Sequence, residues 1–306
     1  MERSSTLARK TQHKVKNGLR LAVTYLFLGL LGLVMVYPLL WMVASSFKEN
    51  KGIFNSISII PPSLSLEHYI EGWKGVGEYT FTTFFTNTFS IVIPSTVFII
   101  VSCLLVAYGF ARFEFPMKKF LFTAMMATLM LPSAVIIIPR YMLFKQFGWL
   151  DTYLPFIVPA MFAGNSFFIF QLVQFFRGIP RELDEAASID GCGSFRTLVR
   201  ILMPLCKPAL ATFTLFHAVG HWNGYFNATM YINSRDKWPL MLIVREMVAE
   251  SGTSMVHQSA TAIEDLAQPF TLQMAIIIFT IIPILCVYPF VQKYFMKGML
   301  MGSVKG

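Results

Sequence analysis

Six stretches of this chain, residues 21–47, 80–111, 120–139, 152–176, 208–234 and 266–292, run for 20 residues or more without a single Asp, Glu, Lys or Arg. A helix rises about 1.5 Å per residue and the hydrocarbon core of a bilayer is about 30 Å thick, so about 20 apolar residues cross it. Each stretch meets that length, and together they predict an all-α membrane protein with about six transmembrane helices. The composition agrees: 55% of residues are hydrophobic and 13% charged, a balance unsuited to a soluble globular domain. The first stretch follows a basic leader, but its 27 residues exceed a signal-peptide core of about 7–15, which predicts an uncleaved span.

An even number of spans puts both termini on one side of the membrane. Counted alternately, 17 Lys and Arg fall on the side of the termini and 8 on the other, so the positive-inside rule predicts both ends cytoplasmic. The net charge of +9 is then mostly an orientation signal rather than a sign of nucleic-acid binding. Cys103, Cys192, Cys206 and Cys286 form no close pair resembling a metal or redox motif. The predicted organisation is a cytoplasmic segment 1–20, a six-span membrane domain 21–292 and a cytoplasmic tail 293–306. Larger external segments are expected at 48–79 and 235–265, and one larger internal segment at 177–207. Pro94, Pro132, Pro159 and Pro283 fall inside spans. They read either as hinges in a protein that changes shape or as the ordinary tolerance of membrane helices for proline.

The internal segment reads as two short helices joined by a glycine turn. Pro180 suits a first helical turn, and Glu182, Asp184 and Glu185 follow where a helix dipole favours negative charge. Gly191 can take positive φ and stop the helix. Ser194 is positioned to cap a second helix whose apolar residues Phe195, Leu198, Val199 and Leu202 share one predicted stripe, with Arg196 and Arg200 on another face and Pro204 limiting its continuation. A helical hairpin this short needs something to pack against.

Glu185-Ala186-Ala187, Gly191, Ile201 and Met203-Pro204 keep the spacing of the EAA loop of ABC importer permeases, which this segment resembles over 20 positions. The usual leucine before the proline is methionine here, of similar volume. Pro38-Leu39-Leu40-Trp41 with Ser46-Phe47-Lys48, the run from Ala107 to Phe113, Ile138-Pro139-Arg140-Tyr141 and Val304-Lys305-Gly306 look like the carbohydrate-type members, especially the second permease subunit of maltose-type importers. The resemblance implies a type I ABC importer permease fold in a bacterial cytoplasmic (inner) membrane. It implies ATPase-coupling roles for Glu185, Ala186, Ala187, Asp190, Gly191, Ile201 and Pro204. Its partners would be a homologous second permease subunit, two cytoplasmic ATPase subunits and an extracytoplasmic solute-binding protein. It further implies a non-catalytic chain that binds no cofactor, with ATP and Mg on the partner ATPase. The external segment 235–265 corresponds to a loop that reaches the binding protein in that family.

The fifth stretch concentrates His217, His221, Trp222, Asn223 and Asn227, polar groups that lipid would not tolerate without partners. They read either as lining of a sugar path or as interhelical hydrogen bonding. Trp222-Asn223 is similar to the family's Trp-Asn in this span, with Gly224 where an acidic residue is common. The spacing of His217 and His221 would suit a metal, but no third ligand is evident and no metal is expected. An ion-coupled secondary transporter is the alternative, yet no carboxylate lies in the six stretches. An intramembrane enzyme would need a nucleophile–base pair that the histidines do not supply.

Overall fold

The computed structural model describes residues 2–48, 64–74, 78–257 and 263–303. The Val304-Lys305-Gly306 match, most of the first external segment and part of the second lie outside them. Among the described residues the protein is all helical, with no β-strand.

Four helical segments are long and apolar enough to cross a membrane: Gly18–Ser46, Phe81–Arg112, Leu154–Arg177 and Thr271–Phe290. Two bent pairs, Lys118–Thr128 with Ser133–Gln146 and Ser194–Leu205 with Lys207–Trp222, pass the same test when each is counted as one span, which gives up to six. The chain divides into two compact units, residues 1–72 with 255–278 and residues 73–254 with 279–306.

In the first unit, helix α1 (Glu2–Ser46) continues from the basic leader through the first span without a break. Its apolar side chains from Leu19 to Leu40 are exposed, as lipid or partner contact requires. At its end the Ser46 hydroxyl meets the Tyr69 hydroxyl of α2 (Glu67–Lys74) at 2.6 Å, and the Phe47 and Tyr69 rings lie 5.1 Å apart. Gly72 sits so close to Ile276 that a Cβ there would meet its side chain at 3.3 Å.

The second unit is built around α3 (Phe81–Arg112), which stays helical through Pro94. Around it pack α6 (Leu154–Met161), α7 (Ser166–Arg177) and α10 (Lys207–Trp222). Ile99, Cys103, Leu104 and Ala107 of α3 share a core with Ala160, Phe168, Leu172, Phe176 and Phe213. The third expected span is not straight. It divides into α4 (Lys118–Thr128) and α5 (Ser133–Gln146), bent by 102°. Pro132 stands at the bend as the N-cap of α5, with extended backbone at ψ 134; it has no N–H to donate back into α4, and its ring disfavours helical backbone at the residue before it. Pro159, by contrast, lies within α6, and the chain turns only after it, through Ala163 at φ 55, before Asn165 caps α7 by accepting from the Phe168 amide.

The fifth stretch also breaks, at Asn223-Gly224, into α10 and the short α11 (Tyr225–Tyr231). Helices α12 (Leu240–His257) and α13 (Ile263–Ser303) follow, the latter carrying the helix into the expected tail.

Candidate functional site

The segment after α7 forms α8 (Glu182–Ile189) and α9 (Ser194–Leu205), with Gly191 between them at φ +74. The Cys192 amide donates to the Ala187 carbonyl at 2.8 Å and the Gly191 amide to the Ser188 carbonyl at 3.0 Å, the paired bonds of a left-handed helix end. The predicted boundaries shift slightly. Pro180 precedes the helix rather than opening it, because Arg181 is the N-cap. Ser194 is the first helical residue and makes no side-chain cap; Gly193 holds that position.

Pro204 does not stop α9. Its missing N–H and its ring are absorbed by a widened turn, Leu198–Leu202, in which the Met203 amide donates five residues back to Leu198. The chain then bends by 81° into α10.

The hairpin buries an apolar inner face and carries large apolar side chains among the charges of its outer one. Ala187, Leu198, Leu202 and Cys206 are buried, the last three in the same core as Ala107, Ala111 and Phe176 of α3 and α7. Ile189 at 87% exposure and Phe195 at 70% stand out on the other side, flanking the glycine turn. The predicted stripe of Phe195, Leu198, Val199 and Leu202 is therefore divided, with Leu198 and Leu202 inward and Phe195 and Val199 outward. Of the residues with an implied coupling role, Glu185, Ala186, Asp190, Gly191 and Pro204 are exposed, Ile201 is half-buried, and Ala187 is turned inward.

Three polar contacts lock the inner face to the end of α3. The Tyr108 hydroxyl donates to the Ser194 carbonyl at 3.1 Å, and Arg112 Nη2 donates to the Ile179 carbonyl at 3.0 Å. Arg112 Nε lies 2.9 Å from Asp184 Oδ2, with side-chain exposures of 7% and 24%. Neither atom makes an aligned hydrogen bond in that pair, so charge rather than bond direction holds it.

At the opposite end of α3 a second set of bonds fixes the start of the 235–265 segment. Asn87 Nδ2 donates to the carbonyls of Asp236 at 2.7 Å and Trp238 at 3.0 Å, and the Leu240 amide donates to buried Thr88 Oγ1 at 2.8 Å. Asp151 accepts from the Asn233 and Ser234 amides, from the Ser234 hydroxyl at 2.6 Å and from Lys237 Nζ at 3.0 Å. These bonds, that of the Ser234 hydroxyl first, hold the Asp151 carboxyl well below the usual carboxylate range.

Between the two ends lies a cavity of about 680 Å³ bounded by α3, α5, α6, α10 and α11. Its polar lining is Arg140, Asn165, His217, His221, Asn227 and Tyr231. The two imidazoles lie 4.3 Å apart, centroid to centroid. Three of the five polar residues singled out in the fifth stretch thus line the cavity. Trp222 is instead buried against Phe85 and Phe89, and Asn223 is exposed at the end of α10.

A helical permease body with an outward-facing EAA hairpin defines a class, and the family comparison agrees. Residues 99–301 match the family of binding-protein-dependent transport system inner membrane components, and the chain belongs to it. It is a multi-pass membrane protein of the type I ABC importer permease fold. Among similar proteins, LplC of Bacillus subtilis is 35% identical, with 97% of this chain and 98% of that one covered. The polygalacturonan/rhamnogalacturonan transport system permease protein YtcP of the same organism is 34% identical, covering 95% and 100%. A crystal structure of a bacterial ABC transporter involved in the import of the acidic polysaccharide alginate contains a chain that superposes with a TM-score of 0.75 at 25% identity, covering 89% of this chain and 95% of that one.

Proposed function

We propose that this chain is the membrane-spanning permease subunit of an ATP-driven, binding-protein-dependent importer of oligosaccharides. The observation that carries this reading is the EAA hairpin, which presents Glu185, Ala186, Ile189 and Phe195 outward while its inner face is locked into the bundle. Two exposed apolar side chains beside a tight turn suit insertion into a cleft of a partner, and exposed Glu185 suits a basic group there.

The partner is a cytoplasmic ATPase, present as two copies, which carries the ATP and Mg that this chain does not bind. The termini and the hairpin share the cytoplasmic side, in keeping with the distribution of Lys and Arg. A second, homologous permease completes the membrane part, and a solute-binding protein docks on the opposite face, where the 235–265 segment begins. Closure of the ATPase pair moves the hairpin, opens the path outward to receive sugar, and hydrolysis resets it. His217, His221 and Asn227 line that path. The relatives named for polygalacturonan/rhamnogalacturonan transport and alginate import favour oligosaccharide over monosaccharide.

The test is purification from mild detergent with native partners, comparing the wild type with a Glu185→Lys, Gly191→Pro variant. An ATPase and a second permease should co-purify with the wild type, and binding-protein-stimulated ATP hydrolysis should be lost in the variant. A chain that purifies alone and moves sugar without ATP would refute the reading.

A further inference from the structure

We infer that the groove where α3 and α7 end and α4 begins holds the headgroup of an anionic phospholipid, with Lys119, Arg177 and Arg181 meeting its phosphate. The inference goes beyond the importer reading and asks only that the chain spans a membrane.

Depth in the bilayer comes first. Arg112, Lys119 and Arg177 stand immediately outside the second, third and fourth charge-free stretches. Charges at the ends of apolar spans lie at the level of the lipid headgroups. The fold brings these three ends together. A cleft of about 510 Å³ is lined by Glu114, Lys118, Lys119 and Arg177 with the rings of Phe110, Phe115 and Phe122. An adjoining cleft of about 660 Å³ shares Glu114, Lys118 and Arg177 with it and is lined also by Arg112, Arg181 and Glu182.

The charges do not cancel. Arg112 is committed to Asp184 and the Ile179 carbonyl. Lys118 Nζ donates to Glu114 Oε1 at 2.9 Å and to the Phe113 carbonyl at 2.7 Å. Lys119, Arg177 and Arg181 are exposed and form no salt bridge among the described residues, so three open cations face one remaining acid, Glu182. Their fields overlap: the Glu114 carboxyl is held below its usual range by Lys118 first, and by Arg181 and Lys119 as well.

The positive-inside rule accounts for cations on this side of the membrane, but not for their gathering over an apolar floor. The Phe110 ring packs 5.6 Å from that of Phe115 and 5.5 Å from that of Phe122, and the Arg177 guanidinium lies 5.5 Å over Phe122. Alongside, Met117, Phe120 and Leu121 at the start of α4 are exposed, apolar surface that an acyl chain would cover. Cations that can bind a phosphate, set beside bare apolar side chains at headgroup level, follow the layout of a phospholipid. A soluble anion would use the cations and leave the apolar side chains bare.

In the experiment the full chain, purified with its native partners, is placed in nanodiscs of equal parts phosphatidylglycerol and phosphatidylcholine with the same acyl chains. It is then extracted gently, and the retained lipids are counted by native mass spectrometry. Three open cations, at about fivefold each, set an expected preference for phosphatidylglycerol of about a hundredfold. Lys119→Gln with Arg177→Gln should cut it to about fivefold, whereas Lys119→Arg with Arg177→Lys should keep most of it. Lys14→Gln with Lys16→Gln removes the same charge from the basic leader and should change the preference by less than twofold. Glycerol phosphate in large excess should leave the lipid count unchanged. Equal retention of the two lipids, an equal loss in the leader variant, or displacement by glycerol phosphate overturns the inference. If the paired Gln variant fails to assemble, Lys119→Gln alone decides, with a loss of about fivefold expected and no loss refuting. None of these outcomes bears on the importer reading, which stands or falls on ATP-dependent uptake.

Discussion

Replacing Arg112 with Gln should loosen the EAA hairpin from the bundle without unfolding either. The guanidinium holds the Ile179 carbonyl and the Asp184 carboxylate, one at each side of the turn into α8. Breaking a fully buried pair costs about 3–5 kcal/mol and an exposed pair is worth about 0–1 kcal/mol. With exposures of 7% and 24% the Arg112–Asp184 pair lies between these limits. We take about 2 kcal/mol, which corresponds to about thirtyfold in the equilibrium between held and released hairpin. Hydrogen exchange of the amides of α8 and α9 in the assembled importer reads that equilibrium directly. Exchange should accelerate about thirtyfold there and stay unchanged in the middle of α3. On the proposed reading, ATP hydrolysis should persist while sugar uptake per ATP falls, since an ATPase would still meet Glu185 and Phe195 but would move a hairpin that no longer carries α3. A double-mutant cycle with Asp184→Asn should give a coupling of about 1 kcal/mol or more, as expected for contacting charges. If Arg112→Gln assembles normally and exchange in α8 and α9 changes by less than twofold, the pair does not hold the hairpin.

Three further outcomes are expected. Gly191→Ala forces a Cβ into the left-handed region at φ +74 and should cost about 1–2 kcal/mol, read as weaker co-purification with the ATPase. Phe195→Glu should leave thermal unfolding of the isolated permease unchanged while abolishing ATPase association, because the ring is exposed here and has nothing to lose within this chain. The Asp151 carboxyl is depressed in the folded protein, so its contribution is complete above the unfolded value of about 3.9 and lost as pH falls below it toward the folded value. Asp151→Asn should therefore unfold at lower temperature than wild type at pH 7, with the gap narrowing as pH falls below about 4.

The architecture was legible where chemistry is local. Charge-free length marked the spans, and α3 falls within a residue of its predicted limits at each end. Gly191 announced the hairpin turn. Less legible was which way the hairpin faces, since periodicity reports that a stripe is apolar and not whether the bundle or another chain covers it. Phe195 and Val199 were grouped with Leu198 and Leu202 for that reason. The cluster in the fifth stretch was read by nearness in sequence, but a helix turns about 100° per residue. His221 follows His217 on one face, while Trp222 and Asn223 rotate away from it. Arg112 stood in a recognisable run, yet its pairing with Asp184, 72 positions on, leaves no local trace.

The two ends of α3 are tied to different things. Tyr108 and Arg112 fasten one end to the hairpin, while Asn87 and Thr88 fasten the other to residues 236–240. In mechanical terms α3 is a connecting rod with a joint at each end. Its 32 residues make it about 48 Å long, so a tilt of about 10° pivoting at one joint displaces the other by about 8 Å. A push delivered at Glu185 would then emerge as movement of the 235–240 turn on the far side of the membrane, with no signal needing to pass through the cavity between them.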